Sequence, residues 1–377
     1  MGSDFKQMRP IIPESGPLLW ELVDDEDIQP SLQIVLGFTP GWFREAMGLD
    51  YGEQWHTDPI YRQQTVVKMK KTLNRRFPRL MLGGSDPDST PGSISVAYGT
   101  TLIPAILGAP IVYMDDNWPA NPPANMNEEE ERKLEVPSLE SSPVFCNLME
   151  QMDIIEKEWG KVEGVLNYQG ILNNAFRIRG QDIFTDFIIN PKLACHVLDV
   201  CAQTMIEVIR RVYARQKESG VENEYFVTSN CVVNMLSGDQ YERFILPFDN
   251  KISNSFKYFG IHNCAWTADP YLNAYRSIGP LGYLDFGIDS NMDKIKMDFP
   301  YTRLCVIYSA VDLKNKTKTN IGHDLQKIHD ALTPCEIIIG DIDTGTPDEM
   351  VMDFYQLAAN VWDVEIEELV PRKLAER

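Results

Sequence analysis

No uninterrupted apolar run in the chain approaches the roughly 20 residues that a membrane-crossing helix needs. The best stretch, around Thr101 to Met114, is short and broken by prolines. A cationic, apolar leader is missing, no Gly-rich phosphate turn follows an early strand signal, and neither a Walker-type loop nor a Ser-His-Asp arrangement appears. Basic residues are scarce. The 35 Lys and Arg stand against 55 Asp and Glu, and the resulting formal charge of −20 repels phosphate backbones and anionic lipid heads. Neither a nucleic acid nor a membrane surface is the expected partner. Cysteines number seven, an odd count, and they are scattered (Cys146, Cys195, Cys201, Cys231, Cys264, Cys305 and Cys335), so they do not read as a disulfide framework. The expectation is a soluble protein of the reducing cytoplasm.

What is present fits one large α/β domain. A chain of 377 residues with 44% apolar content can fill the core of a single barrel with insertions. Short β-branched or aromatic runs recur near Leu32–Phe38, Leu80–Gly83, Ile111–Met114, Gly164–Tyr168, Tyr225–Ser229, Lys257–His262, Tyr283–Phe286, Leu304–Ser309 and Glu336–Gly340. Helical apolar spacing separates several of them. One helix is predicted over Pro191–Gln216, and another from Pro347 to Trp362 with Thr346 as its N-cap. Strand and helix alternating over the whole length argue a parallel sheet closed into a (β/α)8 TIM-type barrel, with an open doubly wound sheet as the alternative. Two stretches interrupt the alternation. Residues 1–30 read as an N-terminal arm wrapped on the surface, and Asp115–Ser142, with its acidic run Glu128–Glu131, reads as a long surface excursion near the barrel mouth.

The chemistry is concentrated in Tyr258-Phe259-Gly260-Ile261-His262-Asn263-Cys264, an apolar strand ending in His-x-Cys. Residues i and i+2 of an extended segment project to one side, so an imidazole and a thiolate can reach one ion at roughly 2.0–2.3 Å. Mixed nitrogen and sulfur ligation suits zinc. Trp42, Phe43, Tyr168 and Met235 lie at or just beyond strand ends and are candidates to line an apolar substrate pocket. Three other histidines carry less: His196 falls within an amphipathic helix, and His323 and His329 fall in a polar one.

Phe244-Ile245-Leu246-Pro247-Phe248-Asp249-Asn250-Lys251-Ile252, followed by Gly260-Ile261-His262-Asn263-Cys264, resembles the uroporphyrinogen decarboxylase-like superfamily, in particular its corrinoid-dependent methyltransferase branch. Val165-Leu166-Asn167-Tyr168-Gln169-Gly170, Phe187-Ile188-Ile189-Asn190-Pro191 and Gly345-Thr346-Pro347-Asp348-Glu349 extend the resemblance from about Leu32 to Trp362. The resemblance implies a barrel in which zinc, held by His262, Cys264 and a third residue on the last strand, takes part in moving a methyl group to or from cobalamin. At that third position the family's thiol methyltransferases carry a cysteine, whereas this chain reads Gly340-Asp341-Ile342-Asp343. Asp341 is the expected third ligand and catalytic partner, with Asp343 and Cys231 as reserves; Cys231 is also a candidate substrate contact. A carboxylate ligand would make a harder ion, which favours oxygen, so the expected donor is a small methoxylated compound, including methoxyaromatics. Alternatives are a thiol (coenzyme M-type) or methylamine methyltransferase. No Asp-x-His-x-x-Gly motif occurs, so cobalamin would arrive on a separate corrinoid protein. A homodimer is a further expected association. The superfamily's decarboxylases place a catalytic aspartate where Asp86 stands, but their arginine-rich motif is replaced here by Gly37-Phe38-Thr39-Pro40-Gly41-Trp42-Phe43-Arg44.

Overall fold

Strands that are buried on both faces need apolar residues at consecutive positions, and six segments of this chain supply them. The computed structural model describes residues 5–14, 16–24, 27, 29–89 and 92–371. A hairpin of β1 (Met8–Ile11) and β2 (Leu19–Leu22) precedes β3 (Leu32–Phe38), β4 (Tyr225–Ser229), β5 (Tyr258–His262), β6 (Tyr283–Gly287), β7 (Arg303–Ile307) and β8 (Cys335–Ile342). The last six form one all-parallel sheet in the order β3-β8-β7-β6-β5-β4. Isolated parallel bridges Gln169↔Ser229 and Ser93↔Glu163 add two further segments beyond β4.

Helices cross between these strands. Pro191–Glu218 begins with proline at its first position and buries Leu193, Val197, Leu198, Cys201, Met205, Val208 and Ile209 on one face. The last long helix, Asp348–Trp362, has Pro347 at its N-cap; Thr346 instead turns its hydroxyl to Asp343 Oδ1 (3.0 Å). No helix among the described residues is long and apolar enough to cross a membrane.

The arm is not laid on the surface. Met8, Leu19 and Trp20 are buried, and the hairpin reaches many strands at once. The Met8 N–H donates to Gly282 O (3.1 Å), the Tyr225 hydroxyl to Trp20 O (2.5 Å) and Asn167 Nδ2 to Leu18 O (2.8 Å). Ile12 lies so close to Gly37 that a Cβ there would stand 2.8 Å from its Cδ1. Gly37 and Tyr225 belong to β3 and β4, the two ends of the six-stranded order, which in a flat sheet would lie roughly 24 Å apart. One short hairpin touching both means that the sheet curls around it. Apolar side chains of β1 and β2 pack against the strands, Met8 on Gly260 and Gly282 and Trp20 on Tyr283.

Three expected strands are shorter or missing. Leu80–Gly83 is a run of turns, because Asn74 takes up the Gly83 N–H and the Gly84 carbonyl. Ile111–Met114 keeps only the bridge Val112↔Ala120, and Gly164–Tyr168 is flanked by bridges without being a strand itself. Asp115–Ser142 holds a short helix, Glu128–Arg132, that is docked rather than free: the buried Glu131 carboxyl meets Arg179 (3.3 Å), which also pairs with Asp186 (2.8 Å).

Candidate metal centre

Parallel strands deliver their C-terminal residues to one edge of the sheet, and there β4 and β5 end side by side with Ser229 in register with His262. Beyond those ends the Asn230 N–H donates to His262 O (2.8 Å), which ties the turn carrying Cys231 to the strand carrying His262. A ring nitrogen of His262 and the sulfurs of Cys231 and Cys264 lie within 4.8 Å of one another. Ligands of one tetrahedral zinc ion stand roughly 3.5–3.8 Å apart, so this donor set is gathered closely enough to hold one ion.

His262 is oriented by Asp285 on β6, its register partner. The imidazole Nδ1 donates to Asp285 Oδ2 (2.6 Å), which leaves Nε2 for the sulfur side. The Asp285 carboxylate also accepts from the Asn263 N–H (2.8 Å), the Cys264 N–H (3.0 Å) and the Tyr283 hydroxyl (2.8 Å). A single buried carboxylate thus fixes both the ring and the turn that follows it. That turn is tight: Cys264 has φ +66°, a left-handed conformation that costs a non-glycine residue of order 1 kcal/mol or more. It folds onto Gly287 at the end of β6, where a Cβ would stand 2.0 Å from Ala265 O. Trp20 of the hairpin lies 5.8 Å from the His262 ring.

The charges match a cation site. The Cys264 thiol is lowered to about 4, first by the hydrogen bond from Cys231 and then, against the cost of burial, by His262. Cys231 is raised because it keeps its proton to donate to that thiolate. Burial works against a charged His262, but Asp285 and the Cys231 sulfur outweigh it and hold the imidazole well above its usual range. The carboxyl of Asp285 is itself pushed up by burial, with His262 opposing the shift. Both shifts favour the protonated forms of Cys231 and His262. A cation held by these three residues would displace those protons.

Asp341 lies outside the three-residue group, for a local reason. Opposite Gly37 the register slips, with Leu36 facing Ile339 and Phe38 facing Ile342, so β8 carries an extra residue. At this bulge Asp341 has φ +58°, and the residue is exposed at the rim. The strand itself continues to Ile342 instead of stopping at Gly340. The surrounding protein, and then the Cys264 charge, raise the Asp341 carboxyl, while a hydrogen bond from Trp118 of the excursion opposes them. Asp343 is exposed and engaged elsewhere, with Lys314 (3.3 Å) and Thr346 (3.0 Å).

The pocket candidates divide. Met235 is 64% exposed in the loop after β4. Trp42 and Phe43 are fully buried in a cluster with Phe38 and Phe77, because helix Pro40–Met47 turns its apolar face inward, and Arg76 lies over the Trp42 ring at 4.3 Å. Tyr168 is buried against Phe226. Asp86 is exposed and accepts from the Asp88 N–H, as a turn-forming aspartate does. His196 bonds Leu134 O (3.0 Å) and His329 pairs with Asp330 (3.0 Å), both away from the cluster. Sequence reasoning missed Asp285 and Trp118. Asp285 had a signal, since a carboxylate alone in the apolar run Tyr283–Phe286 must be paired.

Fold and site together define a curled parallel α/β protein with a Cys/His cluster at its strand ends. No family model and no curated protein matches the chain. Among solved structures it is similar to a methyltransferase from Methanosarcina mazei, at 15% identity and a TM-score of 0.61, over 90% of this chain and 96% of that one. At that identity the likeness is one of fold.

Proposed function

We propose that the chain is a zinc-dependent methyltransferase, built on a closed (β/α)8 barrel, that moves a methyl group between a small molecule and a corrinoid carried by a separate protein. The observation that supports this reading most is the convergence of Cys231, His262 and Cys264 at the strand ends with Asp285 behind the imidazole. Three protein ligands leave a fourth position for substrate, as catalytic zinc sites do. Zinc held there would bind a thiol as its thiolate at neutral pH. His262 and the two cysteines would hold the ion, Asp285 would keep Nε2 aimed at it, and the buried strand ends would exclude water from one side.

The identity of the third ligand bears on the small molecule. Two sulfurs and one nitrogen make a soft donor set, which favours a thiol acceptor over the methoxylated donor that a carboxylate ligand would suit. The methoxylated donor remains the second reading because the Asp341 carboxyl, bonded by Trp118, feels the charges of Cys264 and His262 and would harden the ion if it joined the ligands. The test follows the visible spectrum of a corrinoid protein. The zinc-loaded chain is mixed with its methylated form and a panel of small thiols, and separately with its reduced form and methyl ethers. Loss of the methylcorrinoid spectrum with a thiol, abolished by a zinc chelator, is expected. No spectral change with any substrate, or a change indifferent to the chelator, would overturn the proposal.

A further inference from the structure

We propose that Asp249 is a positioning residue for Cys231, acting through Asn230; the inference rests on the metal-site reading above. Asp249 sits in the helix Leu246–Ser253 and is completely buried, a costly place for a carboxylate. Both of its hydrogen-bond partners are neutral. Its Oδ2 accepts from Asn230 Nδ2 (2.9 Å) and from the Tyr241 hydroxyl (2.5 Å), and its Oδ1 has no hydrogen-bond partner among the described residues. No backbone group or cation is held in this way, so helix capping does not account for the residue. What the carboxylate holds is the side chain next to Cys231.

Asn230 is the pivot between β4 and the turn that presents the Cys231 sulfur. Its N–H is bound to His262 O, and its Oδ1 accepts from the Thr228 hydroxyl (3.3 Å). Gly170 makes room for the same oxygen, since a Cβ there would stand 2.4 Å from it. With backbone and amide both fixed, the direction in which the chain leaves Asn230 is fixed, and so is the place of the next side chain. The scaffold reaches the other ligand turn as well. The Tyr241 ring lies edge-on to Tyr275 (5.5 Å), whose hydroxyl donates to Asn263 Oδ1 (2.8 Å), between His262 and Cys264. Residues remote from the ion thus set where two of its ligands stand, as outer-shell groups do in metal sites.

The experiment uses the full chain loaded with Co(II), whose charge-transfer absorption reports bound thiolates, with circular dichroism to confirm folding. Cys231→Ala provides the one-thiolate reference, at about half the wild-type intensity. Asp249→Ala is expected to reproduce that loss, Asp249→Asn to keep most of the intensity because its amide oxygen still accepts from Asn230, and Asn230→Ala to match Asp249→Ala. The double variant is expected to lose no more than either single one. Full two-thiolate intensity in folded Asp249→Ala would overturn the inference, and if that variant does not fold, full intensity in Asn230→Ala would do so. An unchanged spectrum in Cys231→Ala would instead remove the metal-site reading, and the inference with it.

Discussion

A histidine that is to take a cation must have one ring nitrogen turned toward it, and in this chain one carboxylate sets that direction. Asp285 takes the Nδ1 proton of His262 in a 2.6 Å hydrogen bond and holds the backbone N–H groups of Asn263 and Cys264 as well. Replacing it by Asn keeps the size but offers one acceptor oxygen instead of two and no charge. Asp285→Asn is therefore expected to weaken zinc binding by about 10–100-fold, read by competition with a chromophoric chelator. An affinity within a factor of two of wild type would remove Asp285 from this role. The His-x-Cys pair was legible in the sequence because its spacing alone places both side chains on one side of a strand. The second sulfur, Cys231, was legible only as a reserve. Cys231 follows β4 and Asp341 lies near the end of β8, and nothing in the spacing of either announces that Cys231 stands within 4.8 Å of His262 and Cys264.

Elements differed in how openly their sequences spoke. The strands β3 to β8 were readable to within a few residues because burial on both faces demands unbroken apolar runs. Between Leu80 and Tyr168 the same kind of run failed to become strand, because Asn74 and the glycines after it close turns and because lone bridges replace ladders. The excursion hid its anchor in an acidic run. Of Glu128–Glu131, the first three face solvent, but Glu131 is buried beside Arg179, Asp186 and Asp182. Burial first, with Arg179 opposing and the neighbouring acids adding, pushes its carboxyl up from 4.5 to about 7. Between those values the unfolded chain has already released the proton that the folded protein keeps, so stability falls as pH rises from about 4.5 through 7. Glu131→Gln removes this titration. The melting-temperature difference, variant minus wild type, is expected to be more positive at pH 8 than at pH 5. An identical difference at the two pH values would show that Glu131 does not titrate on folding.

At the scale of the whole molecule, the hairpin β1–β2 and the sheet depend on each other. Gly282, just before β6, lies against Lys6 and Met8, and a Cβ there would stand 2.6 Å from both the Lys6 carbonyl oxygen and Met8 Cε. Gly282→Ala is expected to lower stability by about 1–3 kcal/mol in denaturant unfolding, since a backbone oxygen cannot swing aside as a side chain can. A loss below about 0.5 kcal/mol, the usual size for surface changes, would mean that the hairpin is loosely seated. The closest long-range partnership in the sheet is between β3 and β8, which pair from Leu32↔Cys335 onward. Roughly 300 residues separate them, and a ribosome adding about 5–20 residues per second needs roughly 15–60 s to make that stretch. Through that interval β3 has no β8 beside it, so in the cell the earliest-made strand of the sheet waits, unpaired on that edge, for the last-made one.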